Sequence, residues 1–136
     1  MRLTDHTDYS LRVLMYLNQT KRLVTLNELS EVLAVPRNSL IKVSNQLAKL
    51  GHIETSRGRN GGLQINRDAG KLTLKSIILQ TEESFNIAEC FNDANCKCYF
   101  MNLCPLKGRL KGALNMFLDA LGDTSLDEVT PIENGR

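Results

Sequence analysis

The chain has 136 residues, enough for one compact domain with an added helix, and its 42% hydrophobic and 24% charged residues are ordinary for a globular fold. With no Trp and 5% aromatic residues it has no ring platform for a sugar or a flavin, no stretch approaches the ~20 apolar residues of a membrane span, and Met1-Arg2-Leu3-Thr4-Asp5 turns polar too soon for a signal peptide, so no membrane partner and a cytoplasmic location are expected. Net charge is only +2, but residues 1–67 carry ten Lys/Arg against five Asp/Glu and residues 68–136 carry seven against ten, the pattern of a polyanion-binding module joined to a second function.

Residues 5–19 are expected to form a helix with Leu11, Leu14, Met15 and Leu17 apolar, Thr7 or Asp5 as its cap, and Asp8 in the first turn, where an acid suits the helix dipole. Thr25-Leu26-Asn27-Glu28 has the form of a capping box opening a short second helix through Leu33. Ala34-Val35 make a tight connection, and Pro36 suits the first turn of a third helix that runs to Leu50, with Gly51 where a C-terminal cap glycine belongs. Leu40, Val43, Leu47 and Leu50 share one face of it; Asn38, Lys42, Asn45 and Lys49 share the other. Two helices, a tight turn, and a helix with an apolar back and a basic front describe a helix-turn-helix.

His52-Ile53-Glu54-Thr55-Ser56 alternates like a strand, Arg57-Gly58-Arg59-Asn60-Gly61-Gly62 is a turn-rich tip, and Leu63-Gln64-Ile65-Asn66 alternates again, which gives a β-hairpin wing. Thr73 caps a fourth helix with Leu74, Ile77 and Ile78 apolar. Residues 82–104 lack a clean period. Pro105 opens the strongest helix, whose stripe of Leu106, Leu110, Ala113, Leu114, Phe117, Leu118 and Leu121 ends at Gly122. Ser125-Leu126-Asp127-Glu128 caps a last short turn, and the tail from Pro131 is expected to fray. The expected fold is mainly α with a small β-hairpin wing. Residues 1–80 are expected to form a winged helix-turn-helix domain, 81–104 a loop that carries all four cysteines, 105–122 a dimerisation helix and 123–136 a C-terminal tail.

The third helix offers Arg37, Asn38, Ser39 and Lys42 for double-stranded DNA, since Arg and Lys read guanine or neutralise phosphate and Asn pairs with adenine in the major groove. At the wing tip, Arg57 and Arg59 stand on a glycine-rich turn that lets the backbone approach a sugar-phosphate chain and an arginine enter a narrow minor groove. Because residues 1–80 read as a complete unit, the apolar stripe of the long helix needs a partner, and a two-fold homodimer would present two reading helices to a palindrome.

Cys90, Cys96, Cys98 and Cys104 lie in one short stretch spaced C-x5-C-x-C-x5-C. Zinc sites pair cysteines more tightly, iron–sulfur clusters accept looser loops, and a thiol-redox or inert role is the third possibility. Cys104 precedes Pro105 and the long helix, whose N-terminus stabilises a thiolate. Cys96 and Cys98, only two apart, are awkward as separate corners of a cubane, so one of them is expected to be spare. There is no Ser-His-Asp set, phosphate-binding glycine loop with a lysine, or carboxylate pair in a pocket, so an enzyme is not expected.

Four segments together, Met1-Arg2-Leu3-Thr4, Thr7-Asp8-Tyr9-Ser10-Leu11-Arg12, Arg57-Gly58-Arg59-Asn60-Gly61-Gly62 and Phe85-Asn86-Ile87-Ala88-Glu89-Cys90-Phe91, resemble the iron–sulfur-cluster winged-helix transcriptional regulators over nearly the whole chain to about Glu128. The spacing Cys90-x7-Cys98-x5-Cys104 is similar to that of the family's nitric-oxide-sensitive repressors. That resemblance implies Cys90, Cys98 and Cys104 as cluster ligands, Cys96 as the spare or alternative ligand, and Asp8 of the other subunit as the fourth. Arg12, one helical turn from Asp8, would orient that carboxylate and couple the cluster to the reading head. Cluster-biogenesis members of the family use a histidine where this chain has Lys107, which points to a 4Fe–4S cluster, with 2Fe–2S as the alternative. The implied mechanism is a dimer that represses nitric-oxide detoxification genes and leaves its palindromic operator when nitric oxide nitrosylates the cluster. The rival expectations are a regulator of the same fold sensing cluster supply or redox state, and a zinc or thiol-redox protein. Relatives often carry Ser or Thr at Pro36, so the cap of the reading helix departs from the family pattern.

Overall fold

The apolar spacing of the first helix sets the centre of the molecule. In the computed structural model, which describes residues 1–133, helix α1 (Asp5–Thr20) buries Val13, Leu14 and Leu17 completely. Around them close α2 (Leu26–Leu33) with Leu29, α3 (Arg37–Lys49) with Leu40, Val43 and Leu47, and α4 (Leu74–Thr81) with Ile77. A two-stranded antiparallel hairpin, β1 (Ile53–Ser56) and β2 (Gly62–Ile65), adds Ile53 and Leu63, with Ile53 opposite Ile65 and Ser56 opposite Gly62. The fold is the expected one, mainly α with a small wing. No helix among the described residues is long and apolar enough to cross a membrane.

Helix ends follow local chemistry, with three departures from expectation. Helix α1 starts at Asp5, so Thr4 is its cap and accepts from the Thr7 amide, while the fully buried Thr7 hydroxyl turns to Glu82. At α2 the expected box is half made: Thr25 accepts from the Glu28 amide, but the Glu28 carboxylate takes Arg22 at 2.5 and 3.0 Å and the Tyr16 hydroxyl at 2.7 Å. Those bonds, Arg22 first, favour the carboxylate and hold its pKa down at about 2. Pro36 is the N-cap of α3 rather than a first-turn residue, and it offers no side-chain acceptor. The turn before it uses Ala34 in the left-handed region at φ 52, and Gly51 beyond α3 sits at φ 81, where glycine is unstrained.

Chain segments distant in sequence lock the wing and the C-terminus to this core. Val24 pairs with Leu63 through two backbone bonds of 2.8 and 2.7 Å, fastening the wing to the residue that leads into α2. A Cβ at Gly62 would stand 2.4 Å from the Val24 carbonyl oxygen, so only glycine allows this approach. Helix α5 (Pro105–Ala120) is anchored at its end: Leu118 is buried, Lys75 meets Asp119 at 2.6 Å, and the Leu121 carbonyl accepts from Lys75 at 3.2 Å. The short α6 (Leu126–Val129) then enters the core. Leu126 is 0% exposed, its amide donates to the Leu72 carbonyl at 2.8 Å, and buried Asn18 of α1 donates to Asp127 and Thr130 at 2.8 and 2.9 Å. Leu126 and Val129 of the expected tail therefore pack into the winged-helix core; its last three residues lie outside the described ones.

Candidate functional site

Helix α3 shows its polar face to solvent because Leu40, Val43 and Leu47 turn the opposite face into the core. Asn38, Lys42, Asn45 and Lys49 are exposed along it and Ser39 is half-buried at its start. Arg37 behaves differently: its guanidinium donates to Asn27 of α2, which draws it toward the wing instead of along the helix. Arg57 and Arg59 are exposed at the wing tip, where Gly58 adopts φ 97. The helix face and the wing tip together make a solvent-facing basic surface of the kind that straddles a DNA groove.

The end of α4 grips both parts that carry this surface, and α1 with them. The Gln80 carbonyl accepts from Gln46 of α3 at 2.8 Å, and the Gln80 side chain meets the ring of buried His52, at the root of the wing, at 2.7 Å. Gln46 in turn bonds the His6 ring of α1. Two residues on, Glu82 accepts from the Thr4 amide at 3.0 Å and from the hydroxyls of Thr4 and Thr7. Burial opposes ionisation of Glu82, but those hydrogen bonds outweigh it and lower its pKa below the usual carboxylate range. The chain passes directly from this junction into the cysteine loop.

That loop is irregular, with one 3-10 turn at Glu89–Phe91. All four cysteines are free thiols: Cys90, Cys96 and Cys104 are half-buried and Cys98 is exposed. Cys104 is the N-cap of α5 and makes no side-chain capping bond, leaving its sulfur available to a ligand. Lys107 pairs with Asp93 at 2.6 Å, and its pKa is raised first by that hydrogen bond. Accessible, unpaired thiols in one loop are chemically suited to an iron–sulfur cluster or another soft-metal group. Among the described residues no three His, Cys, Asp or Glu side chains are gathered closely enough to hold a metal, so the loop has to draw its sulfurs together to bind one.

Asp8 is half-exposed and far from idle. Arg12 holds both its oxygens, at 2.6 and 3.1 Å, extends to the Leu33 carbonyl at 3.5 Å, and stands 5.6 Å from the centre of the Tyr9 ring. Arg12 thus links the Asp8 carboxylate to the last residue of α2, at the turn into α3. Sequence reasoning singled out Asp8 and Arg12 but missed Asn27, Gln46, Gln80 and Glu82. Their partners lie on other elements, and no local spacing announces them.

Comparison with known proteins fits this arrangement. The family model of Rrf2, described as an iron-dependent transcriptional regulator, matches residues 3–131. The HTH-type transcriptional regulator NsrR of Bacillus licheniformis is 38% identical over 131 residues, covering 95% of this chain and 92% of that one. Among solved structures, CymR, the global cysteine regulator of B. subtilis, superposes with a TM-score of 0.73 at 16% identity, covering 96% of each chain, and T. potens IscR with 0.71 at 16%, covering 94% of this chain and 85% of that one. At such identities these two show the shared winged-helix fold alone. The relatives are regulators of transcription, not enzymes, and this chain belongs to the Rrf2 family of transcriptional regulators.

Proposed function

We propose that this protein is a dimeric repressor that binds palindromic operator DNA, carries a 4Fe–4S cluster, and releases the operator in response to nitric oxide. The cluster's ligands are Cys90, Cys98 and Cys104, with Asp8 of the partner subunit as the fourth. An iron–sulfur cluster held by thiolates supplies iron to which nitric oxide binds. Three things support the reading: the iron-dependent description of the family, a relative named NsrR, as the nitric-oxide-sensitive repressors are, and the thiol donors gathered in one loop. The observation that carries it is the junction of Gln80 and Glu82, which ties the start of that loop to α1, the reading helix and the wing.

The chain's own residues then divide the work. Asn38, Ser39 and Lys42 face the major groove; Arg37, Arg57 and Arg59 meet the backbone and the minor groove. Asp8 is a weak, exchangeable donor beside soft thiolates. Its alternative partner is Arg12, so the carboxylate belongs either to the cysteine loop of the partner subunit or to the turn that precedes α3. The homodimer forms along α5, whose Leu106 and Phe117 remain 62% and 40% exposed although Leu118 is sealed against its own chain. A signal changes operator affinity only by its differential affinity for the two arrangements.

Gln46 is a positioning residue in this account. Gln46→Leu fills similar volume but cannot bond His6 or the Gln80 carbonyl. Operator affinity of cluster-loaded and cluster-free protein, measured by fluorescence anisotropy, is expected to differ by about thirty-fold in the wild type, about 2 kcal/mol, and by less than about fivefold in this variant. An equal loss in both states with the ratio kept would make Gln46 merely structural and break the proposed junction.

A further inference from the structure

Between the wing and the beginning of α2 lies a cleft of about 300 Å3 walled by Thr25, Asn27, Arg37, Ser56, Gly58 and Arg59. No carboxylate lines it. Its two guanidinium groups come from different elements, and Asn27 fixes the first of them by accepting from Arg37. The opposite wall is backbone: the Gly61 amide donates to the Gly58 carbonyl at 3.0 Å, and a Cβ at Gly61 would stand 2.3 Å from the Ser56 carbonyl oxygen. The pairing of Val24 with Leu63 holds the two walls at a set distance.

A concave surface carrying two cations and no anion concentrates positive potential, and guanidinium groups present forked donors that match an oxyanion. The cleft opens beside the exposed face of α3 and the wing tip, so a duplex engaged by both runs its sugar-phosphate chain past it. We propose that this cleft seats one phosphate of the DNA backbone in each protomer, with Arg37 and Arg59 as its clamp and Asn27 as the residue that positions Arg37. Arg37 then fixes register and leaves sequence reading to Asn38, Ser39 and Lys42. This proposal rests on the DNA-binding reading given above and adds a site to it.

Asn27→Asp isolates the charge. Asn27 lies in the first turn of α2, where an acid favours the helix, so a loss of binding does not arise from unfolding, and an unchanged melting temperature confirms this. Affinity for operator and for random duplex is expected to fall alike, by about tenfold, and the dependence of log K on log salt to become shallower by about one per protomer. Scanning the operator with single neutral methylphosphonates is expected to reveal one position per half-site whose neutralisation weakens the wild type but not the variant. Unchanged affinity and salt dependence, or a loss confined to the operator, overturns the proposal while the DNA-binding reading stands. Wild-type protein that binds no duplex removes both. Inorganic phosphate that competes at millimolar concentration and constant ionic strength, without any coupled methylphosphonate position, would assign the cleft to free phosphate and likewise overturn it.

Discussion

Alanine at Cys104, Cys90 or Cys98 is expected to abolish cluster binding, whereas Cys96→Ala retains it. Each of the three supplies a thiolate, and two thiolates with a carboxylate hold iron and sulfide too weakly to survive purification. Cys104 is the most sensitive position because its sulfur stands at the N-cap of α5, where the helix dipole favours the net negative charge of a ligated cluster. Iron and acid-labile sulfide per chain, with the visible absorption of anaerobic protein, read the result. Cys98 is exposed, whereas Cys96 is half-buried like Cys90 and Cys104. Cluster lost in Cys96→Ala and kept in Cys98→Ala would therefore transfer the middle ligand to Cys96 and leave the rest of the scheme intact.

Leu126→Ala is expected to destabilise the fold by about 3 kcal/mol, although it lies near the chain's end, because a fully buried leucine leaves both its transfer energy and a cavity behind. The cavity opens where α6 packs on α1 and the Ala69–Lys71 turn, and the pairing of Leu126 with the Leu72 backbone has little left to pack against. Urea denaturation with an unchanged slope and a lowered midpoint measures this directly. A change under about 0.5 kcal/mol would show that α6 is dispensable and that residues 1–80 are self-sufficient.

What periodicity could express, the sequence expressed well. The helix-turn-helix, the wing and α5 were all legible because Leu40, Val43 and Leu47, the alternation around Ile53 and Leu63, and the leucines from Leu106 to Leu121 repeat at the period of their element. The role of Leu126 was not legible, since one apolar residue in a four-residue helix has no period. Capping chemistry was legible as a menu rather than a choice. Thr7 or Asp5 was the expected cap of α1, yet Thr4 takes that place and Thr7 turns to Glu82; Glu28 prefers Arg22 and Tyr16 to closing its box. The junction of His6, Gln46, Gln80 and His52 spans residues 28 to 40 apart in the chain, and polar pairs at such separations leave no local mark. The cysteines were visible as a donor set from composition and spacing, but which sulfur lies beside which is decided by an irregular loop that no repeat governs.

Native mass spectrometry of anaerobically purified protein, before and after titration with nitric oxide and with operator binding followed in parallel, tests the central claim most directly. The account predicts a dimer with one 4Fe–4S cluster per chain, mass increments of bound nitric oxide at stoichiometric doses, and release of the operator over the same range. A 2Fe–2S cluster indifferent to nitric oxide, or zinc in the cysteine loop, would contradict it.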